Sequence, residues 1–126
     1  MFLLPISVHA QVIPSKCLQY APLIEQYDWN YAIAASIMAH ESSCDPSAVN
    51  ASSTTGDDSY GLFQVNLYGN LAKSRPSAEW LSNPANNVAY AYSLYSAPFD
   101  PASTTDTRIT GFTPWETSLA IALKDM

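Results

Sequence analysis

Basic residues are scarce in this chain. Five Lys and Arg stand against eleven Asp and Glu, for a net charge of −6. A nucleic-acid binder carries a basic stripe to neutralise phosphates, so that class is excluded. The same deficit removes any bulk positive field that would draw in an anionic polymer. Recognition of such a polymer must be local, through stacking and hydrogen bonds. No apolar run approaches the roughly 20 residues of a membrane-spanning helix, which argues against stable membrane insertion. Internal repeats and Gly/Ser-rich linkers are absent, so 126 residues read as one domain. Only 13% of residues are charged against 48% apolar, which excludes a disordered chain.

Histidine and cysteine occur twice each. His40-Glu41 starts like a helical zinc motif, but His-Glu-x-x-His needs a second imidazole one turn on, and Cys44 stands there. The only other histidine is His9. No metal site and no organic cofactor is expected. A Cys44 nucleophile with His40 as base lacks an orienting third group. Cys17 and Cys44 fit one disulfide in an exported protein or two free thiols in a cytosolic one. Met1-Phe-Leu-Leu-Pro-Ile-Ser-Val-His-Ala10 is apolar and ends like a small-residue cleavage site, yet it is short and has no basic start. We read residues 1–14 as an N-terminal arm or the remnant of a signal segment, and 15–126 as the functional domain. On the export reading the cysteines pair, closing a loop of roughly 27 residues that contributes on the order of 3 kcal/mol.

What is present is mainly helix. Pro14-Ser15 opens a first helix to about Tyr27. Asp28 is placed to cap a second, about Trp29 to Ser42, which Asp45-Pro46 ends. Residues 47–59 are small and polar and read as loop. A short strand or hairpin follows at about Ser59–Asn66. Asn83 as cap and Pro84 at the first position restart helix, with Val88, Ala91, Tyr92 and Tyr95 as an apolar stripe. Pro98–Gly111 reads as a polar loop. Thr113-Pro-Trp-Glu116 has the form of a capping box opening a last helix with Leu119, Ile121, Ala122 and Leu123.

Glu41 carries the chemistry. It shares a helix face with Ala34, Ile37 and Met38, so the carboxylate extends an apolar stripe. A carboxyl against apolar walls has a raised pKa and stays protonated towards neutral pH. Cleavage of a glycosidic bond requires such an acid. A carboxylate in the last turn also opposes the helix dipole, a small misfit that favours a functional role.

The composite Glu41-Ser42-Ser-Cys-Asp-Pro46-Ser-Ala48, then Gly61-Leu62-Phe63-Gln64-Val65-Asn66, resembles the soluble lytic transglycosylase-like branch of the lysozyme superfamily. Asn83-Pro-Ala-Asn-Asn-Val-Ala-Tyr90-Ala-Tyr92 resembles that family's next helix. The resemblance implies an α+β fold, mainly α, lysozyme-like, with a short β-hairpin beside the catalytic helix. It implies cleavage of peptidoglycan glycan strands between N-acetylmuramic acid and N-acetylglucosamine, with Glu41 as general acid and base. Ser42 and Gln64 match positions that orient the acid or the sugar, and Gly61 matches one where backbone approaches the glycan closely. Tyr60 and Tyr90, as rings on which a sugar can stack, and Asn66 complete the substrate-binding candidates. Location outside the cytoplasm, or in a virion, follows from that substrate, and virion or secretion-machine partners are left open.

Two departures matter. The Ala-Tyr-Asn-Ala-Gly segment frequent in the family is missing. And Asp57-Asp58-Ser59-Tyr60-Gly61 resembles animal lysozymes, whose strand carries Asp immediately before Tyr-Gly, where this chain has Ser59. One residue of offset turns a strand side chain to the other face. If Asp58 faces the cleft it is a second carboxylate and hydrolysis follows. If it faces away, Glu41 works alone and the intramolecular transglycosylase route is favoured. A non-catalytic glycan-binding or structural part on the same scaffold is the rival, since fold alone does not confer activity.

Overall fold

The computed structural model describes residues 13–97 and 110–125. Residues 1–12 and most of the expected polar loop over 98–111 lie outside the described residues. Ile13, on the arm side of the expected boundary, is buried in the main core.

Pro22 shapes the first helical segment. Having no N–H, it cannot continue a hydrogen-bonded helix from Ser15. The segment divides into a 3₁₀ turn, Ser15–Tyr20, and a short helix α1, Ala21–Glu25, with proline in its first turn. The long helix α2, Tyr31–Ser42, starts later than Asp28 would put it. Its cap is Asn30, whose Oδ1 accepts from the Ile33 amide at 2.9 Å. Trp29 is held outside the helix because its indole N–H donates to the Ile24 carbonyl at 2.9 Å in the core. Around that ring lie Phe63 and Phe112, stacked, and Tyr92 and Tyr95, edge-on. One tryptophan thereby joins four parts of the chain, and the stripe of Tyr92 and Tyr95 is spent on packing.

Ile33, Ala34, Ala35, Ser36, Ile37 and Met38 are all buried. Six consecutive buried residues cover the whole circumference, so the middle of α2 is a central helix rather than an amphipathic one. It packs against α1 and against α5, Glu116–Lys124.

Three antiparallel strands lie beyond the end of α2 in the order β1-β2-β3: Val49–Ser52, Asp57–Tyr60 and Val65–Asn66. The first lies in the stretch read as loop. Val49, Asn50 and Ala51 are exposed, so β1 shows no hydrophobic alternation, and its pairing with β2 holds it. Gly56, at φ 72°, supplies the left-handed residue in the turn between them. A short helix α3, Ala78–Leu81, has no counterpart in the sequence reading; Ser77 caps it. Helix α4, Pro84–Tyr95, begins as expected, with Asn83 Oδ1 accepting from the Asn86 amide. The expected capping box does not form. Thr110–Trp115 is a 3₁₀ segment with Pro114 inside it, and α5 begins at Glu116 without a side-chain cap. Trp115 is anchored instead, its indole N–H donating to the Phe63 carbonyl at 2.8 Å. The architecture is the mainly helical α+β fold expected.

Candidate active site

Helix α2 is stopped sharply one residue after Ser42. Ser43 and Cys44 both take left-handed backbone, φ 54° and 60°. Three ties hold them there. Ser42 Oγ donates to the Leu62 carbonyl at 2.8 Å and accepts from the Cys44 amide at 3.1 Å. Cys44 is bridged to Cys17, with Cα atoms 5.3 Å apart, as the export reading expects. That bridge removes the thiol as a nucleophile. Ser42 is thus a brace between the helix end and the turn after β2.

That turn is clamped from the other side by Asn87 of α4, a fully buried side chain. Its Oδ1 accepts from the Phe63 amide, and its Nδ2 donates to the carbonyls of Tyr60 and Leu81. Gly61, at φ 79°, lies so close to Asn87 that a Cβ would collide with it and come 2.6 Å from the Leu81 carbonyl. The glycine is required by packing of protein on protein, rather than by close approach of a glycan as expected. The clamp sets Gln64, at φ 51°, with Nε2 donating to the Ala48 and Gly61 carbonyls.

The resulting cleft has a cavity of about 350 Å³. Glu41 enters from α2, Asp57 and Ser59 from β2, Gln64 and Asn66 from the turn and β3, and Trp115, Glu116 and Thr117 from the start of α5. Glu41 is half-buried, and Ser118 Oγ of α5 donates to its Oε2 at 2.6 Å. Among the described residues no protein donor reaches Oε1. Burial pushes the Glu41 carboxyl above the ordinary carboxylate range. The Ser118 bond works against this by favouring the ionised form, the Asp57 charge adds to it, and His40 opposes it weakly. His40 itself lies 3.7 Å from the Asp125 carboxylate at the surface.

Strand alternation separates the two aspartates. Asp57 and Ser59 face the cavity. Asp58 does not line it; its Oδ1 accepts from the Tyr60 hydroxyl at 2.6 Å. The carboxylate that shares a cavity with Glu41 is therefore Asp57, in place of the Asp58 considered from sequence. Tyr60 and Tyr90 do not line the Glu41 cavity either; they pack on a small second core of Val65, Leu67 and Leu81. Asn66 lines the cleft, but its side chain is committed internally: Oδ1 accepts from the amides of Asp58 and Tyr68, and Nδ2 donates to the Gly56 carbonyl.

Of the residues singled out from sequence, Glu41, Gln64 and Asn66 meet in the cleft, and Ser42 braces it. Asp57, Glu116, Ser118 and Asn87 were missed. Asp57 could have been found by counting two residues, rather than one, back from Ser59. Ser118 carries no local signal, since it lies 77 residues from Glu41. A neighbouring cavity of about 240 Å³ is lined by Gln64, Val65, Asn66, Leu71, Arg75, Leu94, Pro114 and Trp115. Among the described residues no helix is long and apolar enough to cross a membrane.

A family model described as a lysozyme-like domain matches residues 25–117, and the chain belongs to that family. The match spans the Glu41 helix, the sheet, the Asn87 clamp and the Trp115 wall of the cleft. This is a superfamily of peptidoglycan-directed glycosidases, for which peptidoglycan is the fitting substrate class. No curated protein and no solved structure gave a match.

Proposed function

We propose that this protein cleaves the bond between N-acetylmuramic acid and N-acetylglucosamine in peptidoglycan, as a lytic transglycosylase with Glu41 as the single acid and base. The observation that carries the reading is the Glu41 carboxyl: desolvated, raised in pKa and open to a cleft through one oxygen. Protonated Glu41 donates to the glycosidic oxygen as the C1–O bond breaks. The resulting carboxylate then takes the proton of the muramyl C6 hydroxyl, whose oxygen closes on C1 to give a 1,6-anhydro ring. Ser118 holds the carboxyl in place through both steps. Gln64 borders both cavities and is a candidate sugar contact.

A second reading has one specific observation in its favour. Asp57 lines the same cavity as Glu41, so water could enter in place of the C6 hydroxyl, with Asp57 as the second carboxylate of a hydrolase. A purely glycan-binding role is disfavoured, because a binder has no use for a desolvated acid. The Cys17–Cys44 bridge supports work in an oxidising place, outside the cytoplasm or on a virion.

Glu41→Gln keeps shape and removes the proton. It should abolish clearing of purified cell walls with the fold unchanged by circular dichroism; undiminished clearing would sink the assignment. Mass spectrometry of wild-type products divides the two chemistries, anhydro-muramyl ends marking the transglycosylase and reducing ends the hydrolase.

A further inference from the structure

The two cavities share Gln64, Asn66, Pro114 and Trp115, so they are lengths of one groove. Their charge differs sharply. The Glu41 length carries three carboxyl groups, Glu41, Asp57 and Glu116, and no cation. The neighbouring length carries one charged residue, Arg75, and the apolar side chains of Leu71 and Leu94 line it too. Four of the chain's five basic residues fall among those described, and of the four only Arg75 lines the groove. Its Nη1 donates to the Asn66 carbonyl at 2.9 Å, which fixes the guanidinium over the end of β3. Among the described residues no carboxylate stands within ion-pair distance of it. A guanidinium has five N–H donors in a planar fork matched to a carboxylate, and one is spent here.

We infer that Arg75 forms a subsite for a carboxylate carried on the muramyl side chain of the glycan, either the lactyl carboxylate itself or a carboxylate of an attached stem peptide. The inference rests on the glycan-cleaving reading above and adds what sets the register of the strand. An anionic substituent is repelled from the Glu41 length by Asp57 and Glu116 and held one length away by Arg75. In a protein of net charge −6, a single fixed cation in the groove also supplies the local attraction that the bulk charge withholds.

The test is equilibrium binding by calorimetry, in a Glu41→Gln background so that turnover does not intervene. Three tetrasaccharides serve as probes: chitotetraose, with no carboxylate; the alternating muramyl tetrasaccharide without peptide; and the same bearing stem tripeptides. Adding Arg75→Gln should weaken a carboxylate-bearing probe on the order of tenfold or more and leave chitotetraose unchanged. Loss on the peptide-free muramyl probe alone identifies the lactyl carboxylate, which the stem peptide converts to a neutral amide; loss on the peptide-bearing probe alone identifies a stem-peptide carboxylate, and loss on both shows that the guanidinium takes either. Arg75→Lys keeps the charge and should retain most of the selectivity, which guards against misreading a variant that merely folds poorly. Equal loss on all three probes, chitotetraose included, would show that Arg75 only braces the Asn66 carbonyl, and no loss on any would also overturn the subsite. If the parent binds none of the three, the glycan reading falls along with it. Binding without turnover in the wild type would instead refute only the proposed cleavage.

Discussion

The helical wall and the strand wall of the cleft are built on opposite terms. Helix α2 reaches the cleft through six consecutive buried residues and ends in a lock made by Ser42, the Cys17–Cys44 bridge and the turn that Asn87 clamps. In the sheet, β1 has three exposed residues of four, and β2 offers the cavity an aspartate and a serine. The helical wall removes water from Glu41 and fixes it; the strand wall is polar. A general acid needs the first environment and a charged or sugar-binding group the second, so the asymmetry divides the labour of one site.

If the helical wall depends on that lock, releasing it should have the largest effect. Asn87→Ala leaves the Phe63 amide and the Tyr60 and Leu81 carbonyls without their partner in a buried place, and should cost about 4 kcal/mol by denaturant unfolding. Wall-clearing activity should fall with it even at temperatures where the variant is folded, because Gln64 and the Ser42 brace depend on the same turn. A variant that loses stability and keeps full activity would show the clamp to be indifferent to the cleft. Reduction of the Cys17–Cys44 bridge, or Cys17→Ser with Cys44→Ser, comes next at about 3 kcal/mol. Its effect on folded-state activity should be smaller than that of Asn87→Ala, since the Ser42 hydrogen bonds remain.

Two substitutions probe the walls against each other at Glu41 itself. Ser118→Ala, on the helical side, removes a bond that favours the ionised carboxyl, so the Glu41 pKa should rise further. Asp57→Asn, on the strand side, removes a charge that raises it, so the pKa should fall. Glu41 acts protonated at the start of the reaction, and activity is lost as pH climbs through its pKa. The alkaline limb of the pH–rate profile should therefore move up in Ser118→Ala and down in Asp57→Asn, with optimum rates within about tenfold of wild type if Asp57 takes no part in bond-making. A collapse of rate in Asp57→Asn, without a shifted limb, would transfer the reading to the two-carboxylate hydrolase.

The same contrast explains what the sequence could disclose. The helical wall was legible because its signals are local: Glu41 after an apolar run, Asn83-Pro84 opening α4, and the Gly61-Leu-Phe-Gln64 string. The strand wall was not. Strand β1 is exposed and polar, so nothing in Val49-Asn-Ala-Ser52 distinguishes it from loop until β2 pairs with it. Asp57 and Asp58 are chemically identical, and only the pairing register decides that the former faces the cavity and the latter binds Tyr60. Ser118 and Asn87 act across 77 and 24 residues of chain, which no local pattern records. The Thr113–Glu116 capping pattern misled because the buried Trp115 anchors that junction and Glu116 goes to the groove.

The smallest effect concerns stability, and its sign is the sharpest check on the helical wall. Below the unfolded-state pKa of a glutamate, about 4.3, Glu41 is protonated in both states and burial costs nothing in charge. As pH rises, the unfolded chain gives up the proton first, because the folded pKa is raised. Between the two pKa values the native state holds more protons, so stability falls with rising pH and levels off above the folded pKa. Glu41→Gln has no such titration. Its denaturant midpoint should gain on wild type as pH rises from about 4 and stop gaining once Glu41 is ionised in the folded protein. The difference should be modest, since the carboxyl is only half-buried and solvent screens its charge. If wild type instead gained on the variant over that range, the folded pKa would be depressed. The Ser118 bond would then outweigh burial, and α2 would be presenting a resting carboxylate rather than a proton donor.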